Sequence, residues 1–446
     1  MNPAEREAKL LQIGADLVQT STADETEVLF IEGRSFLSRF SRNHIHQSVG
    51  TEEIFAQVRV VEGNRIGCAT SSSLQMQALR ETWEAALAIA RASEPIRDWP
   101  GLPPPLRTKK LDAYDDATAE VSAEARATRV AEVVAAAQAK RGEAAGALET
   151  EESTLAVANS RGTAVAASHT RATMHTVVTC ADGSGYAEDC STRLSDLDAR
   201  AVGRSATRKA HDSRKPQALP PGRYDVVLEP VAVAEWIEML SYIAFGGKLF
   251  DEGQSPLSGH LGEKVTGWEV TIYDDALDRR TLRQPFDYEG VPRKRTVLIE
   301  AGVAKAVATN FYRAKRMGRH RSSGHALPAS TSYECLPLHL FMKGGTQSER
   351  ELVKGMKRGL LVTRFHYTNI LDPMKTVLTG MTRDGLFLVE NGEVVGPVKN
   401  LRYTENVFDA FGRIEGLSRK LTLVRNPCVV PAVRMAGVQF TGATEF

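Results

Sequence analysis

Arg223-Tyr224-Asp225-Val226-Val227-Leu228-Glu229-Pro230-Val231-Ala232-Val233-Ala234-Glu235-Trp236-Ile237-Glu238-Met239-Leu240 is the stretch on which the reading of the fold turns. Tyr224 to Leu228 carries the apolar run of a buried strand, and Pro230 suits a first helical turn, where no amide donor is needed. Val233, Trp236, Ile237, Leu240 and Ile243 then recur at helical spacing, so this helix buries one face. Beyond Thr271 the pattern turns β-rich. Thr296 to Ala308 reads as a hairpin, and Leu386 to Val395 as another with Asn391-Gly392 at its turn. Residues 223–446 are therefore expected to form a β-rich C-terminal region.

Upstream, Lys215 to Gly222 holds three prolines and marks a boundary. Before it, residues 122–214 read as a helix (Ser122 to Arg141), strands at Thr154 to Ala158, Ala164 to His169 and Thr173 to Thr179, a Gly183-Ser184-Gly185 turn, and a helix from Asp196 to His211. Residues 99–121, opening with Trp99-Pro100-Gly101-Leu102-Pro103-Pro104-Pro105, can continue neither a helix nor a central strand and read as a linker. Residues 1–98 give a helix from Pro3 to Thr20, strands at Glu27 to Ile31, Phe36 to Phe40 and Ile54 to Val61, and a Glu62-Gly63-Asn64 turn into Arg65 to Ala69. A helix then runs from Leu74 to Ala92, with Ser71 to Ser73 as its cap. The fold class that follows is α+β and two-lobed: an N-terminal region of sheet and packed helices, and a β-rich C-terminal region.

With 446 residues, two or three domains are expected. Lys+Arg 56 against Asp+Glu 55 leaves a formal charge of +1, which gives no electrostatic footprint for nucleic acid or an anionic membrane. No stretch reaches the ~20 apolar residues of a spanning helix, and Met1 to Leu11 lacks the apolar core of a signal peptide. The five cysteines, Cys68, Cys180, Cys190, Cys335 and Cys428, are scattered without a Cys-x-x-Cys pair. The expected setting is a reduced cytoplasm.

The chemistry is defined first by what is missing. None of the ten histidines sits in a His-Glu-x-x-His motif, and neither a Gly-x-Ser-x-Gly elbow nor a P-loop occurs. His44 and His46 read as a surface pair on a strand, and His320 and His325 as loop residues. Arg364, His366 and Thr368 alternate with Thr363, Phe365 and Tyr367, which on a strand puts a polar set on one face. Met381-Thr382-Arg383-Asp384-Gly385 reads as a turn, in which Arg383 is a candidate carboxylate binder.

Three segments then carry a resemblance: Gly359 to Asn369, Thr379 to Gly385, and Gly396-Pro397-Val398-Lys399-Asn400-Leu401-Arg402. Together with Asp287 to Pro292, Val297 to Gly302, Ile45 to Ser48 and Asp182 to Tyr186, they resemble the TldD/PmbA metallopeptidase family, in order, over nearly the whole chain. The resemblance implies a dimer enclosing a chamber in which unfolded peptides are cut. It also implies that zinc-bearing members carry His-Glu-x-x-x-His on the helix after the Arg223–Leu228 type of strand, with a cysteine near the C-terminus. Against that motif this chain reads Ala234-Glu235-Trp236-Ile237-Glu238-Met239. Both imidazoles are gone, a thioether is a poor zinc ligand, and Glu235 without metal is expected to be a solvated helix residue. Cys428 alone makes no site. The expectation is a chain with no metal and no catalytic residue of its own, working beside a zinc-bearing TldD-like subunit on peptide substrates such as leader peptides. Arg364, His366, Asn369 and Arg383 are its candidate chamber-lining residues. The rival readings are a self-sufficient homodimeric hydrolase using His366 or a cysteine, and a peptide-binding module.

Overall fold

The computed structural model describes residues 1–425 and 427–443. In the N-terminal lobe, helix α1 (Pro3–Thr20) precedes strands β1 (Glu25–Ser41), β2 (His44–Glu62) and β3 (Arg65–Ser71) and helix α2 (Met76–Ala92). Then come α3 (Asp116–Ala119), α4 (Ala123–Gln138), β4 (Glu143–Asn159), β5 (Ala164–Cys180), β6 (Gly183–Ser191) and α5 (Ala199–Asp212). The six strands form one antiparallel sheet in the order β3-β2-β1-β4-β5-β6. The central pairing of β1 with β4 joins residues 1–98 to residues 122–214 in a single sheet.

Alternation assigns its two faces. Val28, Phe30, Val58 and Ala156 meet Leu10 and Leu17 of α1 and Leu79 and Leu87 of α2, while Ala144, Leu148, Met174 and Val178 meet Val130 and Val133 of α4 and Val202 and Ala206 of α5. On the opposite face, Leu29, Leu155 and Val157 are covered by Phe286 from the other lobe. On the same face Arg59 pairs with Glu289, and Gln57 accepts the Ser330 amide, both partners again from the other lobe. A buried Glu152 ties α1 to the sheet, accepting from Nη1 and Nη2 of Arg6 at 3.0 and 3.2 Å together with bonds from Arg34 and Tyr114.

In the C-terminal lobe, β7 (Gly222–Leu228) leads into α6 (Pro230–Leu240), which widens into a π turn over Ser241–Phe245. After α7 (Gly247–Asp251) come β8 (Ile272–Asp274), β9 (Thr296–Glu300), β10 (Val303–Ala304), α8 (Phe311–Arg316), β11 (Leu340–Met342) and α9 (Glu349–Lys354). The chain ends in β12 (Arg358–Asp372), β13 (Val377–Glu390), β14 (Glu393–Pro397), β15 (Leu401–Asn406), α10 (Val407–Phe411), β16 (Ile414–Leu417), β17 (Thr422–Leu423), β18 (Val429–Val430) and β19 (Val433–Ala443). One sheet runs β12-β7-β19-β15-β13-β14, and the further pairing of β12 with β13 closes five of these strands into a ring. A second sheet runs β10-β9-β8-β11-β18-β17. The hairpin at Asn391-Gly392 forms as the sequence predicts, with both residues at positive φ.

Several local readings change. Gly183-Ser184-Gly185 is the start of β6, and the turn is Ala181-Asp182; Cβ atoms at Gly183 and Gly185 would lie 2.3 and 2.2 Å from the carbonyls of Ala210 and Ala206, so both glycines serve close packing of α5. Ser71 to Ser73 do not cap α2, because Ser71 still belongs to β3 and the N-cap is Gln75. The proline-rich segment is packed: Trp99 Nε1 donates to Glu25 at 2.9 Å, and the Pro103 carbonyl accepts from Asn159 and Thr163. His325 is wholly buried, its Nε2 2.9 Å from Asp274, beside buried Arg293 and His339. Burial against a carboxylate overrides the Gly- and Ser-rich surroundings that suggest an open loop.

Candidate functional site

Helix α6 stands between the lobes. Glu229, just before it, accepts Lys209 Nζ of α5 at 2.5 Å. Its inner face is fixed by Trp236, stacked on Phe365 at 5.2 Å and 9° and tilted against Tyr403 and Phe411. The other face, Ala234, Glu235, Glu238 and Met239, walls a cleft of about 250 Å³ completed by Tyr186, Glu188, Arg364 and Arg425.

Glu235 is not a solvated residue. Its carboxylate accepts the Thr368 hydroxyl, which also lies 2.9 Å from the Tyr403 hydroxyl. Burial, the largest influence, pushes the Glu235 carboxyl above its ordinary pKa, against the opposing Thr368 bond and Arg364 charge. A bulge in β12 makes this contact. The register with β13 shifts between His366 and Asn369, and Tyr367 takes φ +58. Strict alternation would keep Thr368 on the face away from Phe365, yet both side chains meet Tyr403.

A second bulge replaces the expected turn at 381–385. Val362 pairs with Leu386 but Arg364 with Arg383, leaving Asp384 and Gly385, both at positive φ, opposite Thr363 alone. This bulge aims Asp384 at Arg364, whose Nε donates to Oδ2 at 2.7 Å, while the guanidinium lies 4.3 Å above the Tyr186 ring. Arg364 thus lines the cleft already paired and stacked.

The other candidates do not join it. His366 is partly exposed, and burial followed by the charges of Arg383 and Arg364 lowers its pKa. Asn369 is exposed and donates to the Tyr367 carbonyl; Arg383 is exposed. His44 and His46 are exposed on β2. Cys428 is buried, its thiol pushed up by burial, and it walls a neighbouring cleft of about 370 Å³ with Glu238, Ser241, Tyr242 and His339. Among the described residues, no group of three or more His, Cys, Asp and Glu side chains could hold a metal ion. Sequence reading gave no site role to Tyr186, Glu188, Glu238 or Arg425. Tyr186 and Glu238 lay within segments it had marked, Glu238 one helical turn from Glu235, whereas Glu188 and Arg425 carried no local signal.

An α+β lobe packed against a β-ring lobe, with this cleft between them, is the architecture on which the comparisons bear. Residues 221–442 match the model of the PmbA/TldA metallopeptidase C-terminal domain, and residues 26–90 that of PmbA/TldA metallopeptidase domain 1. The chain belongs to the PmbA/TldD family. It is 25% identical to the metalloprotease PmbA of Escherichia coli over 85% of each chain. It is 27% identical to a metalloprotease of Methanothermobacter thermautotrophicus, spanning 61% of each. The alignments span 52% and 47% of two Methanocaldococcus jannaschii relatives. In three dimensions it resembles the crystal structure of TldE from Thermococcus kodakarensis, with a TM-score of 0.86, 23% identity, and coverage of 98% of this chain and 99% of that one. Among the described residues no helix is long and apolar enough to cross a membrane.

Proposed function

We propose that this chain is the subunit without its own zinc in a two-subunit TldD/TldE-type peptidase, completing the chamber around a partner's metal site. The observation that carries the reading is the outward face of α6. Where the zinc-bearing pattern needs two imidazoles, Ala234 and Met239 face the cleft, and Glu235 is engaged by Thr368. These residues do not fit zinc: alanine has no donor atom, thioether sulfur binds Zn²⁺ weakly, and Cys428 is a buried thiol. No hydrolytic step is routed through this chain. Its own contribution is to form a wall, to orient peptide through the cleft, and to limit entry to unfolded segments, in the cytoplasm, as in trimming leader peptides. The likeness to the TldE structure supports the fold on which this rests.

The test is co-expression with a sibling carrying His-Glu-x-x-x-His, with metal analysis of each purified subunit. The expected result is zinc in the sibling alone, little cleavage by this chain, and zinc-dependent cleavage of unstructured peptides by the pair. Stoichiometric metal on this chain, or chelator-resistant turnover lost in His366→Ala, would overturn it.

A further inference from the structure

The face of the N-terminal sheet turned to the other lobe carries one cross-strand row with an unusual composition. Register places Gln47, Arg39, Ala147, His175 and Glu188 side by side on β2, β1, β4, β5 and β6. Paired residues of an antiparallel sheet project to the same face, so Ala147 forms a low floor between Arg39 and His175. Those two flank it at two strand spacings, roughly 10 Å apart. From the other lobe Arg425 reaches over this floor, its Nη1 3.2 Å from His175 Nδ1. The resulting cavity, about 490 Å³, is also lined by Leu37, Phe40, His46 and Glu149. Arg425 also lines the cleft along α6.

The charges here are unevenly engaged. Arg364 is paired with Asp384. Glu188 accepts the Tyr186 hydroxyl and the Arg425 backbone amide. Among the described residues, no ion pair joins a carboxylate to the side chain of Arg39 or of Arg425. His175 does not add a competing charge: burial first, then Arg425, Arg364 and Arg39, bring its pKa down to about 4, leaving Nδ1 free to accept from Arg425. Glu149, one row along the sheet, and His46 on β2 are the remaining titratable groups facing the space.

We propose that Arg39 and Arg425 form a subsite above Ala147 that binds a carboxylate of an extended peptide. This deepens the reading above, giving the chamber wall a preference for acidic segments or free C-termini. Arginine is suited to the role because its planar fork matches a carboxylate. A small side chain between the two guanidinium groups leaves room for that anion.

The experiment measures binding of fluorescent peptides by anisotropy, to the full chain alone and to the chain assembled with its zinc-bearing sibling. Three peptides are compared: one with an internal Asp and a free C-terminus, its Asp→Asn analogue, and its C-terminal amide. The wild-type chain is expected to prefer a carboxylate form over the matching neutral form by about 10-fold, the order of one charge-assisted bond. That ratio should approach one in both Arg39→Gln and Arg425→Gln. The second variant lies outside the sheet and tests the subsite without altering a strand. Discrimination that follows the Asp assigns the subsite to side chains, and discrimination that follows amidation assigns it to chain ends. Absence of preference in the wild type, or a ratio that survives both substitutions, overturns the proposal. Failure of the two-subunit reading registers separately, as lack of zinc-dependent cleavage, and leaves the ratio unaffected.

Discussion

Thr368→Val tests whether the bulge in β12 holds Glu235, since it keeps shape while removing one hydroxyl. In the native chain that hydroxyl donates to the Glu235 carboxylate and meets the Tyr403 hydroxyl. Its loss leaves a largely buried carboxylate without its side-chain donor, at a cost of about 1–3 kcal/mol. The cost should be largest where Glu235 is ionised. Because the folded pKa lies above the unfolded value, the native state holds its proton to higher pH. Stability from this group is thus fullest at acid pH and declines as pH rises through the folded pKa, and Thr368→Val should shift that decline upward in pH. Guanidinium unfolding is followed by Trp fluorescence, with Trp236 stacked nearby as reporter. A double-mutant cycle with Glu235→Gln separates the bond from the Tyr403 contact, and a coupling of about 1 kcal/mol or more is expected at pH 8. Equal costs for Thr368→Val with and without the carboxylate would refute the assignment.

Glu152→Ala should destabilise the N-terminal lobe by about 3–5 kcal/mol, because Arg6 would keep a buried charge without its partner; equilibrium unfolding measures it. Gly185→Ala drives a Cβ to 2.2 Å from the Ala206 carbonyl, so about 1–3 kcal/mol should be lost and hydrogen exchange in α5 should quicken. Glu27, buried beside Arg59, has its pKa raised to about 7 by burial, with the charge of Glu289 adding to the rise. Folding stability should accordingly fall as pH climbs from the unfolded carboxylate pKa towards 7, and Glu27→Gln should flatten that slope in unfolding titrations across the range.

The sequence by itself located the elements whose signals are local. Pro230 with apolar residues at helical spacing marked α6, and Asn391-Gly392 marked its hairpin. Such signals survive because helix periodicity and turn chemistry act within a few residues. Tertiary structure alone decided the rest. One sheet joins β1 to β4 across more than a hundred residues, and buried His325 meets the carboxylate of Asp274 in the core. Two bulges turn Thr368 towards Glu235 and Asp384 towards Arg364, and Arg425 reaches Ala147's row from the other lobe. These contacts depend on which distant strands pair and where register slips by a residue, and a one-residue slip reverses the face of every side chain beyond it.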